Sequence, residues 1–180
     1  MKKTYAAWSV PVAVEDIPDT GLHMKIDAPD ATRAAVAGLA SLRDLPELSA
    51  SFDLTRQGSA VHVTGRVRAL VGQTCVVTLE PIENTVDEAI DLKFAPRPQS
   101  AGDRESKDAA RRKRGGDDNL PEPLVGGILD LGALATEFLI LGIDPYPRKA
   151  GAQFAALELD DTGEKPFAAL AALKKRLGSN

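Results

Sequence analysis

Cysteine is almost absent from this chain of 180 residues: Cys75 stands alone, and aromatic side chains make up only 4%. A single cysteine excludes an internal disulfide framework and suits a reducing compartment, so a cytoplasmic location is expected. The two histidines, His23 and His62, lie far apart. One cysteine and two distant histidines fall short of the about four nitrogen and sulfur ligands of a structural zinc site, so neither a metal nor another cofactor is expected. No apolar run approaches the roughly 20 residues needed to span a bilayer. The start, Met1-Lys2-Lys3-Thr4-Tyr5, has lysines but no apolar stretch before Trp8, which does not read as a secretory signal. A glycine-rich phosphate loop is also missing, since Gly126-Gly127 has no lysine and no strand before it. No internal repeat is found.

What is present is an ordinary globular composition, 43% apolar and 27% charged. The length suits a single domain over residues 1–180 with a real core. The net charge of −4 is unevenly distributed: when the chain is divided into residues 1–95, 96–119 and 120–180, only the middle part, with seven basic and five acidic side chains, has a positive balance. An acidic body disfavours nonspecific phosphate binding, so any RNA contact has to be local or made through a protein.

Alternation of period two predicts strands near 8–14, 22–27, 48–55, 60–71 and 84–94. Pro11 demotes the first to an edge. Leu48, Ala50, Phe52 and Leu54 point inward on the third. Val61, Val63, Val67, Ala69 and Val71 do so on the fourth, where Gly65 marks a bulge or a close approach. Val86, Ile90, Leu92 and Phe94 form the inner face of the fifth, interrupted by Glu88. Helices are expected over 31–43, with Asp30 as cap and Val36, Leu39 and Leu42 on one face, and over 131–142, with Leu131, Leu134, Ala135, Phe138 and Leu141 on one face. Pro166 begins a third, over 167–177, whose end carries Lys174, Lys175 and Arg176 where the helix dipole favours them. Residues 97–119 contain no Val, Ile, Leu or aromatic residue and are expected to form a disordered basic loop within the domain. The fold class expected is α+β: a mostly antiparallel sheet or partial barrel covered by about three helices.

Cys75 has two readings, a nucleophile or metal ligand and a half-buried apolar-like side chain at a strand end. Nothing in the sequence sets a base beside it, which favours the second. Arg66, Arg68 and Lys93 lie on the outward faces of two pairing strands. They are candidate RNA contacts, against a solvated face salt-bridged to Asp87, Asp91 or Glu83. Arg111, Arg112, Lys113 and Arg114 form a denser candidate cluster. The carboxylates Glu80, Glu83, Asp87, Glu88 and Asp91 alternate faces without a histidine partner and read as a solvated strand. Glu137, on a mostly apolar helix, is read as capping a backbone group or pairing with Arg148.

The joint Gly72-Gln73-Thr74-Cys75-Val76-Val77-Thr78-Leu79-Glu80-Pro81 resembles the signature of the YceD family, large ribosomal RNA subunit accumulation proteins, where it usually reads Cys-x-x-Cys-Leu-Glu-Pro. Gln73, Cys75, Leu79, Glu80 and Pro81 carry the resemblance, and Thr78 stands where the family has a second cysteine. Asp130-Leu131-Gly132, Pro145-Tyr146-Pro147-Arg148 and Pro166-Phe167-Ala168-Ala169-Leu170 follow in family order. The resemblance implies a non-enzymatic factor in large-subunit ribosomal RNA accumulation, processing and ribosome assembly, binding precursor RNA or a ribosomal protein. The alternatives are a Cys75-dependent or RNA-modifying enzyme, and a general protein-interaction module that uses helix 131–143 or 166–177.

Overall fold

The computed structural model describes residues 7–96 and 121–154. In chain order the elements are β1 (Pro11–Ala13), a 3₁₀ turn (Val14–Asp16), β2 (Leu22–Asp27), α1 (Asp30–Leu39), β3 (Asp44–Gln57), β4 (Ala60–Thr74), β5 (Pro81–Pro96), β6 (Glu122–Leu124), β7 (Ile128–Asp130) and α2 (Leu131–Gly142). The expected helix 167–177 and the basic loop 97–119 lie outside the described residues.

The alternation read from the sequence builds an open five-stranded sheet in the order β2-β3-β4-β5-β6. Its first four strands are antiparallel neighbours, and β6 adds a short parallel edge to β5. The sheet is not a closed barrel: among the described residues β2 and β6 are its two edges. The inner face is the core, with Phe52, Leu54, Val61, Val63, Val67 and Val71 all at 0% exposure. Full burial of each such side chain stabilises by about 1.5–3 kcal/mol. On the inner face Gly65 lies in register between Phe52 and Ile90. It marks a close approach and not a bulge, because a Cβ there would meet the Ser51 carbonyl and the Phe52 ring. The register shift falls instead between Asp44 and Glu47, around Pro46, where a missing amide costs no ladder bond.

Three expectations are corrected. The strand expected at 8–14 is only three residues long and joins β7 in a separate two-stranded sheet, antiparallel, with Pro11 opposite Asp130. Helix α1 stops at Leu39, because Ser41 turns left-handed (φ 55°) and Leu42 N–H reaches back to Ala37 C=O, a Schellman-type ending. Its first turn has no side-chain cap, and Asp30 pairs with Arg33 instead. Finally, Leu39 on α1 and Leu141 on α2 face solvent, 61% and 73% exposed. Helix α2 is apolar nearly all round, so periodicity did not distinguish its buried side, which is Leu131, Leu134, Ala135 and Leu139.

Asp130 ties the segment before β1 to the start of α2. Its carboxylate accepts from Ala133 N–H (3.1 Å), capping α2, and also from Val10 N–H (2.8 Å) and the Ser9 hydroxyl (2.6 Å). Gly132 completes the joint: a Cβ there would stand 2.9 Å from the Trp8 backbone, so only glycine lets the N-terminal segment lie against the helix start. The Asp-Leu-Gly triplet is thus a lock between residues 8–10 and α2.

Candidate functional site

Strand β4 ends at Thr74, and the chain reverses tightly before β5 starts at Pro81. Cys75 N–H bonds Glu80 C=O and Leu79 N–H bonds Cys75 C=O, each at 2.9 Å, and Leu79 takes a left-handed φ of 58°. A leucine rarely adopts that conformation, so the surrounding bonds impose it. The segment after α2 is held against this turn at four points. Gln73 Nε2 donates to Asp144 C=O at 2.9 Å, while Gln73 Oε1 accepts from Asn84 Nδ2 at 2.8 Å. Val76 N–H donates to Pro147 C=O at 2.9 Å. Lys149 N–H donates to Cys75 Sγ at 3.3 Å, and Lys149 Nζ pairs with Glu80 Oε2 at 2.8 Å.

Cys75 is therefore neither half-buried nor approachable: it is 0% exposed and serves as a hydrogen-bond acceptor at the centre of the clamp. Thr78, in place of the expected second cysteine, contributes its own N–H to Sγ at 3.4 Å, and its hydroxyl accepts from Glu80 N–H. The Lys149 amide, followed by the Thr78 hydroxyl and amide, draws the Cys75 thiol down to about 6 against an opposing push from burial. The Glu80 carboxyl is held below its usual range by Lys149, and Lys149 is raised by Glu80 and then by Cys75. His62, the one histidine on β4, is spent elsewhere, 2.7 Å from Asp91 on the outer sheet face.

A group whose folded pKa is depressed contributes stability above its unfolded pKa and loses it as pH falls through the folded value. Cys75, depressed from 9.0 to about 6, stabilises the fold fully above pH 9 and not below pH 6. The gap in urea midpoint between the native chain and Cys75→Ser is accordingly expected to widen as pH rises from 6 to 9. A gap that stays constant across that window would show the thiol to be neutral throughout.

The outer sheet face holds the other candidates. Arg66 Nη1 lies 2.7 Å from Asp87 Oδ1 and Arg68 Nε 3.3 Å from Asp87 Oδ2, so one carboxylate serves two cations. Arg66 and then Arg68 hold Asp87 below its usual range, with burial opposing. Lys93 stands exposed on the same face, opposite His62. Of the five carboxylates named on this hairpin, Asp87 pairs with Arg66 and Arg68, Glu80 with Lys149, and Asp91 hydrogen-bonds the His62 ring, whereas Glu88 lies on the inner side against Gly142 at the end of α2. Glu137 is exposed and forms no ion pair with Arg148 among the described residues. Arg111, Arg112, Lys113 and Arg114 lie outside the described residues. No group of three or more potential metal ligands occurs among the described residues, and no described helix is long and apolar enough to cross a membrane.

Sequence reasoning singled out Gln73, Cys75 and Glu80 but missed their partners Asn84, Asp144 and Lys149. It also missed the exposed apolar rim of Val76 (46%), Leu79 (76%) and Tyr146 (71%) around the clamp. Pro147 is buried against the turn; that proline, flanked by Tyr146 and Arg148, was the only signal in the sequence.

These features define an α+β protein with one polar sheet face that no described element covers and a cysteine-centred clamp that ties the long hairpin to the segment following α2. The chain belongs to the YceD family: residues 63–174, more than half of its length, match the family described as Large ribosomal RNA subunit accumulation protein YceD. No curated protein and no solved structure matches it. Every residue of the clamp falls within the matched span.

Proposed function

We propose that the protein is a non-enzymatic factor for accumulation of large-subunit ribosomal RNA, acting in the cytoplasm by binding precursor RNA or a ribosomal protein carried on it. The family match supports this reading above all. The chemistry of the clamp agrees with it: the one thiol is inaccessible and committed as an acceptor, a poor arrangement for nucleophilic attack. The exposed rim of Val76, Leu79 and Tyr146, next to Arg148, offers apolar and cationic contact together. Arg66 and Arg68 are compensated by Asp87, so the heavier share of phosphate contact falls to Arg111, Arg112, Lys113 and Arg114.

Sucrose-gradient sedimentation of cell extracts containing tagged protein tests the reading. Co-migration with large-subunit precursors is expected, and binding to those particles should weaken with salt at a log–log slope near about −0.7 per single-strand phosphate contacted. Replacing the four loop cations by alanine should flatten that slope. Protein that stays at the top of the gradient, together with unchanged large-subunit RNA in cells lacking it, would refute the proposal.

A further inference from the structure

Among the described residues nothing packs on the outer side of helix α2. Leu39 of α1 and Ala133, Glu137, Ile140 and Leu141 of α2 line an almost wholly apolar hollow of about 310 Å³. A second hollow of about 240 Å³, formed with Phe94, Leu124 and Ile128, meets the first across Ala133 and Glu137. Together they make a groove along one helix, apolar in the first hollow and mixed in the second, where Asp130 and the Glu137 carboxylate join the lining. Leu141 at 73% exposure, Leu39 at 61% and Ile128 at 54% are large side chains to leave in water.

We propose that this groove is the seat of the chain's own segment 166–177, bound as an amphipathic helix. The sequence of that segment complements the groove in three ways. Phe167, Leu170, Leu173 and Leu177 recur at intervals of three and four, the spacing of one helix face. Ala168, Ala169, Ala171 and Ala172 keep the body slim enough for close approach to Ala133. Lys174, one turn from both Leu170 and Leu177, supplies the cation that Glu137 lacks among the described residues.

Reach is not limiting. Residues 155–165 separate Phe154 from the segment, and eleven extended residues span about 36–40 Å, comparable to the diameter of a fold of this size. A tether of that length holds the segment at an effective concentration in the millimolar range, so even a weak groove stays filled. The family match runs to residue 174, which places most of the segment in the same matched unit as α2.

Hydrogen exchange on the full chain, with peptides covering 166–177, is the test. Protection of these amides is expected to be independent of protein concentration and to fall at least tenfold in Leu141→Asp, with protection of β3, β4 and β5 unchanged. Leu141 is largely solvent-exposed, so the variant retains its fold; Leu170→Asp in the segment should give the same loss. In Glu137→Lys protection should fall, and Lys174→Glu added to it should restore it. Unprotected amides in the native chain would overturn the proposal. Protection that ignores Leu141→Asp would place the segment elsewhere. Protection that grows with concentration would make the occupant a second copy, and either result also rejects it.

Discussion

Asp130→Ala is expected to lower the stability of the fold by about 3 kcal/mol, the sum of a lost helix cap and lost hydrogen bonds to a charged acceptor. One carboxylate caps α2, accepts from Val10 N–H and accepts from Ser9, so its removal frees the helix start and the N-terminal segment together. In a chain of this size that corresponds to a drop in melting temperature of about 10 °C. The variant also has a pH signature. Burial pushes the Asp130 carboxyl up, but the Ser9 hydroxyl and the amides of Val10, Ala133 and Gly132 outweigh it, so its pKa is lowered. The carboxylate's contribution is therefore complete above the ordinary carboxyl range and disappears as pH falls through the lower folded value. Thermal melts between pH 3 and 7 should show the native and Asp130→Ala curves converging toward acid. Equal separation at every pH would show that the negative charge is not what holds the joint.

Gly65→Ala is expected to cost a similar amount, about 3 kcal/mol, from a single added methyl. The site is the middle strand of the sheet, and the obstacle is backbone: the new Cβ would overlap the Ser51 carbonyl, with Phe52 Cα and Cδ1 at 3.2 Å. A flexible side chain could swing aside, whereas a carbonyl fixed in a ladder cannot without separating β3 from β4. Gly58, in the β3–β4 turn, has nothing within 4 Å of an added Cβ, so its alanine meets only the smaller strain of a left-handed φ of 64° and no such overlap. Urea denaturation of the two alanine variants, compared for midpoint and slope, checks the argument. A Gly65→Ala midpoint as high as the native one would mean that β3 and β4 separate more easily than their register implies.

The inner faces of β3 and β4 were legible because their alternation persists over fourteen and fifteen residues, long enough for period two to be unmistakable. Strands β1, β6 and β7 are three residues each, and three residues contain no period. The pairing of β1 with β7 is fixed beside Asp130 and Gly132, residues that carry no strand propensity. The clamp was half legible. Cys75 and Glu80 drew attention as an unusual turn, but the bonds that define it cross from residues 73–80 to residues 144–149, and no local pattern reports a contact over such a separation. Burial of Cys75 was underestimated for the same reason, since the atoms that cover it come from the far segment. The sequence offered Asp87, Asp91 and Glu83 as salt-bridge partners for the strand cations; that Asp87 takes both Arg66 and Arg68 follows from the cross-strand register, which only the paired hairpin fixes.

The lock at Asp130 also governs time. Ser9 and Asp130 are 121 residues apart, so during synthesis the amino-terminal end emerges long before its partner exists. At elongation rates of roughly 5–20 residues per second the wait is on the order of ten seconds. Throughout it Trp8, only 4% exposed in the finished fold, has no helix to lie against. The hairpin β3-β4-β5 is translated in full within that interval, so the growing sheet must stay soluble with its amino-terminal cover not yet in place. A nascent chain of this family thus spends its most adhesive moments at the ribosome itself.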